Sequence, residues 1–70
     1  MTDQTRLNVN LNAETAETLR ELASRHGISY TEAIRRSVSI YKFFDEEQKK
    51  GRRIQTMNTR GRKRMDVMLP

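Results

Sequence analysis

Arg6-Leu7-Asn8-Val9-Asn10-Leu11 alternates without a break. Successive side chains of a strand point to opposite faces, so Leu7, Val9 and Leu11 share one face and Arg6, Asn8 and Asn10 the other. The spacing predicts a strand over about residues 5–11. So short a strand is not stable alone, and no partner strand follows nearby. A second copy of the same segment would supply the missing neighbour. The paired ribbon would then have one apolar face and one face of Arg and Asn.

The chain turns to helical spacing at Asn12, whose side chain suits the N-cap position. Glu14 and Glu17 fall near the positive end of the helix dipole. Leu19, Leu22 and Ala23 form a narrow apolar stripe, with Ala16 one turn earlier. Gly27 suits the left-handed position that ends a helix. These signals predict a first helix over about residues 13–25. Ser29-Tyr30-Thr31-Glu32 then reads as a capping box, opening a second helix over about residues 30–48. Ile34, Val38 and Tyr41 lie along one side of it, flanked by Ala33, Ser37 and Phe44. The link Gly27-Ile28-Ser29 is so short that the two helices must be neighbours.

After Lys49-Lys50-Gly51 the pattern changes, which divides the chain into a domain of residues 1–50 and a basic extension of residues 51–70. Asn58-Thr59-Arg60-Gly61 has Asn and Gly at the first and fourth positions that a type I turn favours. Its flanks, residues 52–57 and 62–69, would pair as a C-terminal hairpin. The alternative is an unstructured tail, which the charge and the chain end favour. Ile54, Met57, Met65, Val67 and Leu69 are many apolar residues for a solvated tail. The simplest expectation is that they cover Ile40 and Phe43, which lie off the main stripe of the second helix. A contact between assembled copies of the chain is the rival explanation.

Composition limits what such a chain can be. Seventy residues allow one domain. A core of this size rarely supplies more than about 3–5 kcal/mol, so small folds usually need a staple. With no cysteine and one histidine, neither disulfides nor an ordinary structural zinc site is available. Oligomerisation remains. The sequence holds no apolar run long enough to span a membrane. Met1-Thr2-Asp3-Gln4-Thr5 is polar and unlike a signal peptide, so a cytoplasmic setting is expected. Neither a catalytic constellation nor a cofactor site is expected, since catalysis needs a nucleophile, base or metal held in a pocket. Residues 1–48 hold six Lys/Arg against eight Asp/Glu, and residues 49–70 hold eight against one. The basic character sits in the C-terminal third, which favours a polyanionic partner.

The order strand, helix, tight glycine turn and capped helix resembles the ribbon-helix-helix family of Arc- and CopG-like repressors. The resemblance covers residues 6 to about 43. It rests on Arg6–Leu11, Leu19 and Leu22, Gly27-Ile28-Ser29, Ala33-Ile34, Val38 and Tyr41. It implies a mainly α, β-α-α chain in an intertwined homodimer, with an intermolecular antiparallel β-ribbon lying in the DNA major groove. Arg6, Asn8 and Asn10 would then face bases. The chemistry suits that role, since Arg can grip guanine O6 and N7, and Asn adenine N6 and N7. Leu7, Val9, Leu11, Leu19, Leu22, Ile34, Val38 and Tyr41 would form the dimer core. The amides of Ser29, Tyr30 and Thr31 would hold a phosphate at the second helix's N-terminus. Arg52, Arg53, Arg60, Arg62, Lys63 and Arg64 lie beyond the resemblance and would add sequence-independent attraction to DNA. The expected function is sequence-specific, repressor-like regulation through double-stranded DNA in the nucleoid, with higher assembly on adjacent sites. The alternative is an antitoxin whose C-terminal extension binds a toxin.

Overall fold

The computed structural model describes residues 4–69. Its elements are α1 (Ala13–His26), α2 (Tyr30–Lys49), β1 (Gln55–Thr56) and β2 (Met65–Asp66). Both helices run within one residue of the ends their capping signals predict. Asn12 is extended (φ −69°, ψ 166°) and its side chain accepts the Thr15 amide at 2.7 Å. That bond satisfies one of the donors a helix start leaves open. At the other end Gly27 is left-handed (φ 61°, ψ 38°). The Gly27 amide donates to the Ser24 carbonyl at 3.2 Å and the Ile28 amide to the Ala23 carbonyl at 3.0 Å. This pair of bonds is the Schellman closure, which needs a residue that tolerates positive φ. α2 then starts at once. The Ser29 hydroxyl accepts the Glu32 amide at 3.0 Å, and the Ser29 carbonyl accepts the Ala33 amide at 3.0 Å.

The chain divides into two compact units, residues 1–34 and 35–70. In the first unit the buried side chains among the described residues are Ala23 and Ala33, 3% and 5% exposed. Ala16, Leu19 and Ile28 are half-buried. Residues 4–12 belong to no helix or strand. The strand expected at residues 5–11 is thus not formed within the single chain, because ladder hydrogen bonds require a neighbouring strand. Its apolar positions stay open, with Leu7 79% and Val9 65% exposed.

In the second unit α2 ends by the same device as α1. The Gly51 amide donates to the Gln48 carbonyl at 3.0 Å and the Arg52 amide to the Glu47 carbonyl at 3.1 Å, with Gly51 at φ 77°. The reversal brings the Arg52 guanidinium onto the Glu47 carboxylate, with Nη1 2.9 Å from Oε2 and 3.2 Å from Oε1. The hairpin follows, as the first of the two expectations for the extension had it. β1 and β2 pair antiparallel, Gln55 opposite Asp66 and Thr56 opposite Met65, and the Val67 amide extends the ladder to the Ile54 carbonyl at 2.8 Å. The turn lies where the sequence placed it, with the Gly61 amide on the Asn58 carbonyl at 3.0 Å. The Asn58 side chain also accepts the amides of Arg60 at 3.1 Å and Arg62 at 2.9 Å.

Nearer the turn the Asn58 amide meets the Arg62 carbonyl at 3.1 Å. That pairing is one residue out of step with Thr56 opposite Met65, so the returning arm holds an extra residue. Lys63 fits the extra place. Its φ of 55° makes it the one left-handed non-glycine among the described residues, as a bulge residue can be. Phe44, Ile54 and Val67 are half-buried and line one recess together with Phe43, Glu47, Arg52, Arg53, Gln55 and Thr56. The expectation that Ile40 and Phe43 would be the covered residues is therefore only partly met. Phe43 lines the recess yet stays 56% exposed, and Ile40 stays 55% exposed. The tilted ring of Phe44, 6.1 Å from that of Phe43, is the better covered of the two.

Gly27 offers a clean test of the link between the helices. A Cβ added there would meet nothing within 4 Å, so Gly27→Ala carries only the backbone penalty of positive φ. The substitution should lower stability by about 1 kcal/mol per chain, read as a shift of the urea midpoint with an unchanged slope.

Candidate nucleic-acid interface

Arg6, Asn8 and Asn10 are exposed, as base-reading side chains must be. Arg6 and Asn8 line one recess with Gln4, Thr5, Leu7, Val9, Thr31 and Ile34. The N-terminal segment therefore runs beside the first turn of α2. This brings two expected base contacts, Arg6 and Asn8, next to one expected phosphate contact, Thr31. Asn10 does not line that recess.

The start of α2 has the chemistry of an anion site. The Glu32 amide is taken by the Ser29 hydroxyl, and the Ala33 amide makes the first bond back along the helix. The amides of Tyr30 and Thr31 precede that bond and have no carbonyl within the helix to reach. Their N–H groups and the helix dipole favour a negative charge just ahead of the helix. Ser29, Tyr30 and Thr31 are all exposed, so the position is open to a ligand. The Ser29 hydroxyl caps the helix and keeps its own proton to donate.

The residues expected to form the dimer core are uncovered in the single chain. Leu7, Val9, Leu11, Leu22, Ile34, Val38 and Tyr41 are exposed, and Leu19 is half-buried. In the second unit Val38 and Tyr41 border a shallow apolar recess with Ser37, Lys42 and Asp45.

The six cations expected to attract DNA through the extension fall into two groups. Arg52 is held by Glu47, and Arg53 lies 3.8 Å from Asp66. Arg60, Arg62, Lys63 and Arg64 are exposed and have no carboxylate within 4.0 Å among the described residues. Sequence spacing did not signal the Arg52–Glu47 pair, because five residues is not a helical interval and the closure at Gly51 creates the approach. The double acceptor role of Asn58 was signalled only by the residue type, since Asn readily bonds its own following backbone.

Among the described residues no three His, Cys, Asp or Glu side chains gather as metal ligands would. Nor is any described helix long and apolar enough to cross a membrane. Comparison with curated proteins and with solved structures returned no match. The comparison with protein families did. Residues 5–42, more than half of the chain and the stretch that holds the alternating segment, both caps and the glycine link, match the ribbon-helix-helix protein, copG family, whose members are DNA-binding transcription regulators or antitoxins; the chain belongs to this family.

Proposed function

We propose that this protein is a homodimeric, sequence-specific regulator that binds double-stranded DNA through a ribbon of two N-terminal segments. The observation that carries the reading is the alternating segment itself. It lies inside the family match, it belongs to no helix or strand of its own chain, and its apolar positions are open. Two such segments paired antiparallel complete each other's backbone bonds and cover Leu7, Val9 and Leu11. Period two then turns Arg6, Asn8 and Asn10 outward, and a two-stranded ribbon fits the major groove. The Tyr30 and Thr31 amides, with Thr31 beside the same segment, hold the flanking phosphate and fix the register of the ribbon on the duplex.

Burial arithmetic supports the dimer. The two buried alanines of the first unit contribute little, since a buried CH2 group is worth only about 0.8 kcal/mol. Leu22, Ile34, Val38 and Tyr41 are the larger side chains available, and a partner chain covers them. An antitoxin role is the second reading. The exposed Met57, Met65 and Met68 favour it, because they offer the extension apolar surface that DNA does not require.

Selection of bound duplexes from a random pool, followed by footprinting, tests the main reading. A two-fold symmetric reader should select a site with two inverted half-sites. Asn8→Ala and Asn10→Ala each remove one side chain from the reading face of each chain. Each should weaken binding to that site by about 1–3 kcal/mol per base no longer gripped, twice over in the dimer. Melting should be unchanged, because both side chains are exposed. Variants that bind the selected site as tightly as wild type would show that the segment is not the reader.

Dimerisation has its own test. Val9→Asp places a charge on the face that the two chains share. It should abolish the cooperative unfolding transition in circular dichroism. A sedimentation profile showing a folded monomer at micromolar concentration would count against the interlocked dimer.

A further inference from the structure

We infer that the C-terminal hairpin is a second contact for duplex DNA, whose turn offers Arg60, Arg62, Lys63 and Arg64 to the phosphate backbone while Arg52 and Arg53 serve only to hold the hairpin. The inference rests on the DNA-binding reading above but concerns residues outside the segment that matches the family.

Four cations within five positions repel one another, and here they sit at a turn that is held in shape. Asn58 accepts the Gly61 amide on its carbonyl and the Arg60 and Arg62 amides on its side chain. These bonds use the backbone of the turn and leave the charged side chains exposed. Lys63 adopts φ 55°, a conformation unfavourable for a residue with a Cβ, and thereby inserts one more cation into the returning arm. No carboxylate offsets any of the four among the described residues. The extension has its own acid, Asp66, and α2 ends with Asp45, Glu46 and Glu47. Those carboxylates are engaged by Arg53, Lys49, Lys42 and Arg52 respectively.

The partner that matches such a tip is a regularly spaced line of negative charge. Duplex DNA provides it, and neutralising its phosphates releases condensed counterions, which drives binding without regard to sequence. Arg52 differs from the tip in its setting. Its guanidinium lies on a Glu47 side chain that is only 17% exposed, beside Phe44 and Ile54. Moving it to a phosphate would strip Glu47 of its counter-charge next to an apolar recess.

The test compares full-length dimers on a selected duplex and on a random duplex across a salt series. The variant with Arg60→Gln, Arg62→Gln, Lys63→Gln and Arg64→Gln keeps the backbone amides that Asn58 holds, so the hairpin should persist. Its binding should depend less steeply on salt, by about 0.9 in the log–log slope for each phosphate the tip no longer neutralises. With two hairpins per dimer the slope should fall by about 2 or more in total, equally on both duplexes, with the sequence preference unchanged. Arg52→Gln and Arg53→Gln should leave the slope as in wild type and instead speed amide exchange at Val67. An unchanged slope in the fourfold variant overturns the inference while leaving the ribbon reading intact, since the Asn8 and Asn10 variants test that separately. Should the fourfold variant misfold, the single changes Arg60→Gln and Arg64→Gln carry the same expectation at smaller size. Vesicles of anionic phosphatidylserine form the last arm. Binding to them, with the slope on DNA unaltered, would assign the tip to a membrane surface and overturn the inference.

Discussion

An extended backbone must find hydrogen-bond partners, and residues 4–12 find none in a ladder of their own chain. Water could satisfy those groups, but the same segment carries Leu7, Val9 and Leu11, which gain from leaving water. A second extended segment, as in the proposed dimer, would meet both demands together. This constraint also decides which residues face the outside. In the proposed ribbon a one-residue slip would turn Asn8 and Asn10 into the apolar interior and expose Leu7, Val9 and Leu11, so the pattern would specify one register. In the proposed dimer the reading face and the interface are two sides of a single alternation, and neither would change without the other.

The link between the helices adds a second constraint in very few residues. Gly27 ends α1, Ile28 completes the closure and Ser29 begins α2. So compressed a link places Tyr30 and Thr31, both exposed, soon after the end of α1, with Thr31 lining one recess with Arg6 and Asn8. A longer loop would let the proposed anion site and reading segment drift relative to each other. In the proposed complex this corner would serve recognition, because phosphate contacts position a protein while base contacts specify the sequence.

Local signals were legible in the sequence and longer-range ones were not. Asn12, Gly27 and Ser29 announce helix ends because each supplies a bond or a conformation that its own neighbours need. Asn58 and Gly61 announce the turn for the same reason. The register of the hairpin was hidden, since Lys63 carries no mark of a left-handed residue and takes that conformation only because the ladder needs an extra residue there. The helical wheel set Ile40 and Phe43 apart from the main stripe, and both stay exposed, as Ile34, Val38 and Tyr41 do. It could not say that the returning hairpin would favour Phe44, because that depends on the direction set by the closure at Gly51. The composition of the extension suggested six equivalent cations. Its fold separates them, by bending Arg52 back onto Glu47 and placing Arg53 near Asp66.

That separation has a consequence for how specificity and affinity combine. Contacts to phosphates add nearly the same free energy on every duplex, so they raise total affinity without changing the ratio between right and wrong sites. The ratio depends on the few side chains that touch base edges, in the proposed reading Arg6, Asn8 and Asn10. A small reader of the kind proposed would gain little from more positive charge near the ribbon, where a longer cation would compete for the same groove. Charge placed on a separate hairpin avoids that conflict. It also has to be held in position. At physiological ionic strength a charge is screened beyond about 8 Å, so a cation on a loose tail would spend much of its time out of range. An ordered turn removes that entropy loss in advance, and the bonds made by Asn58 are what order it.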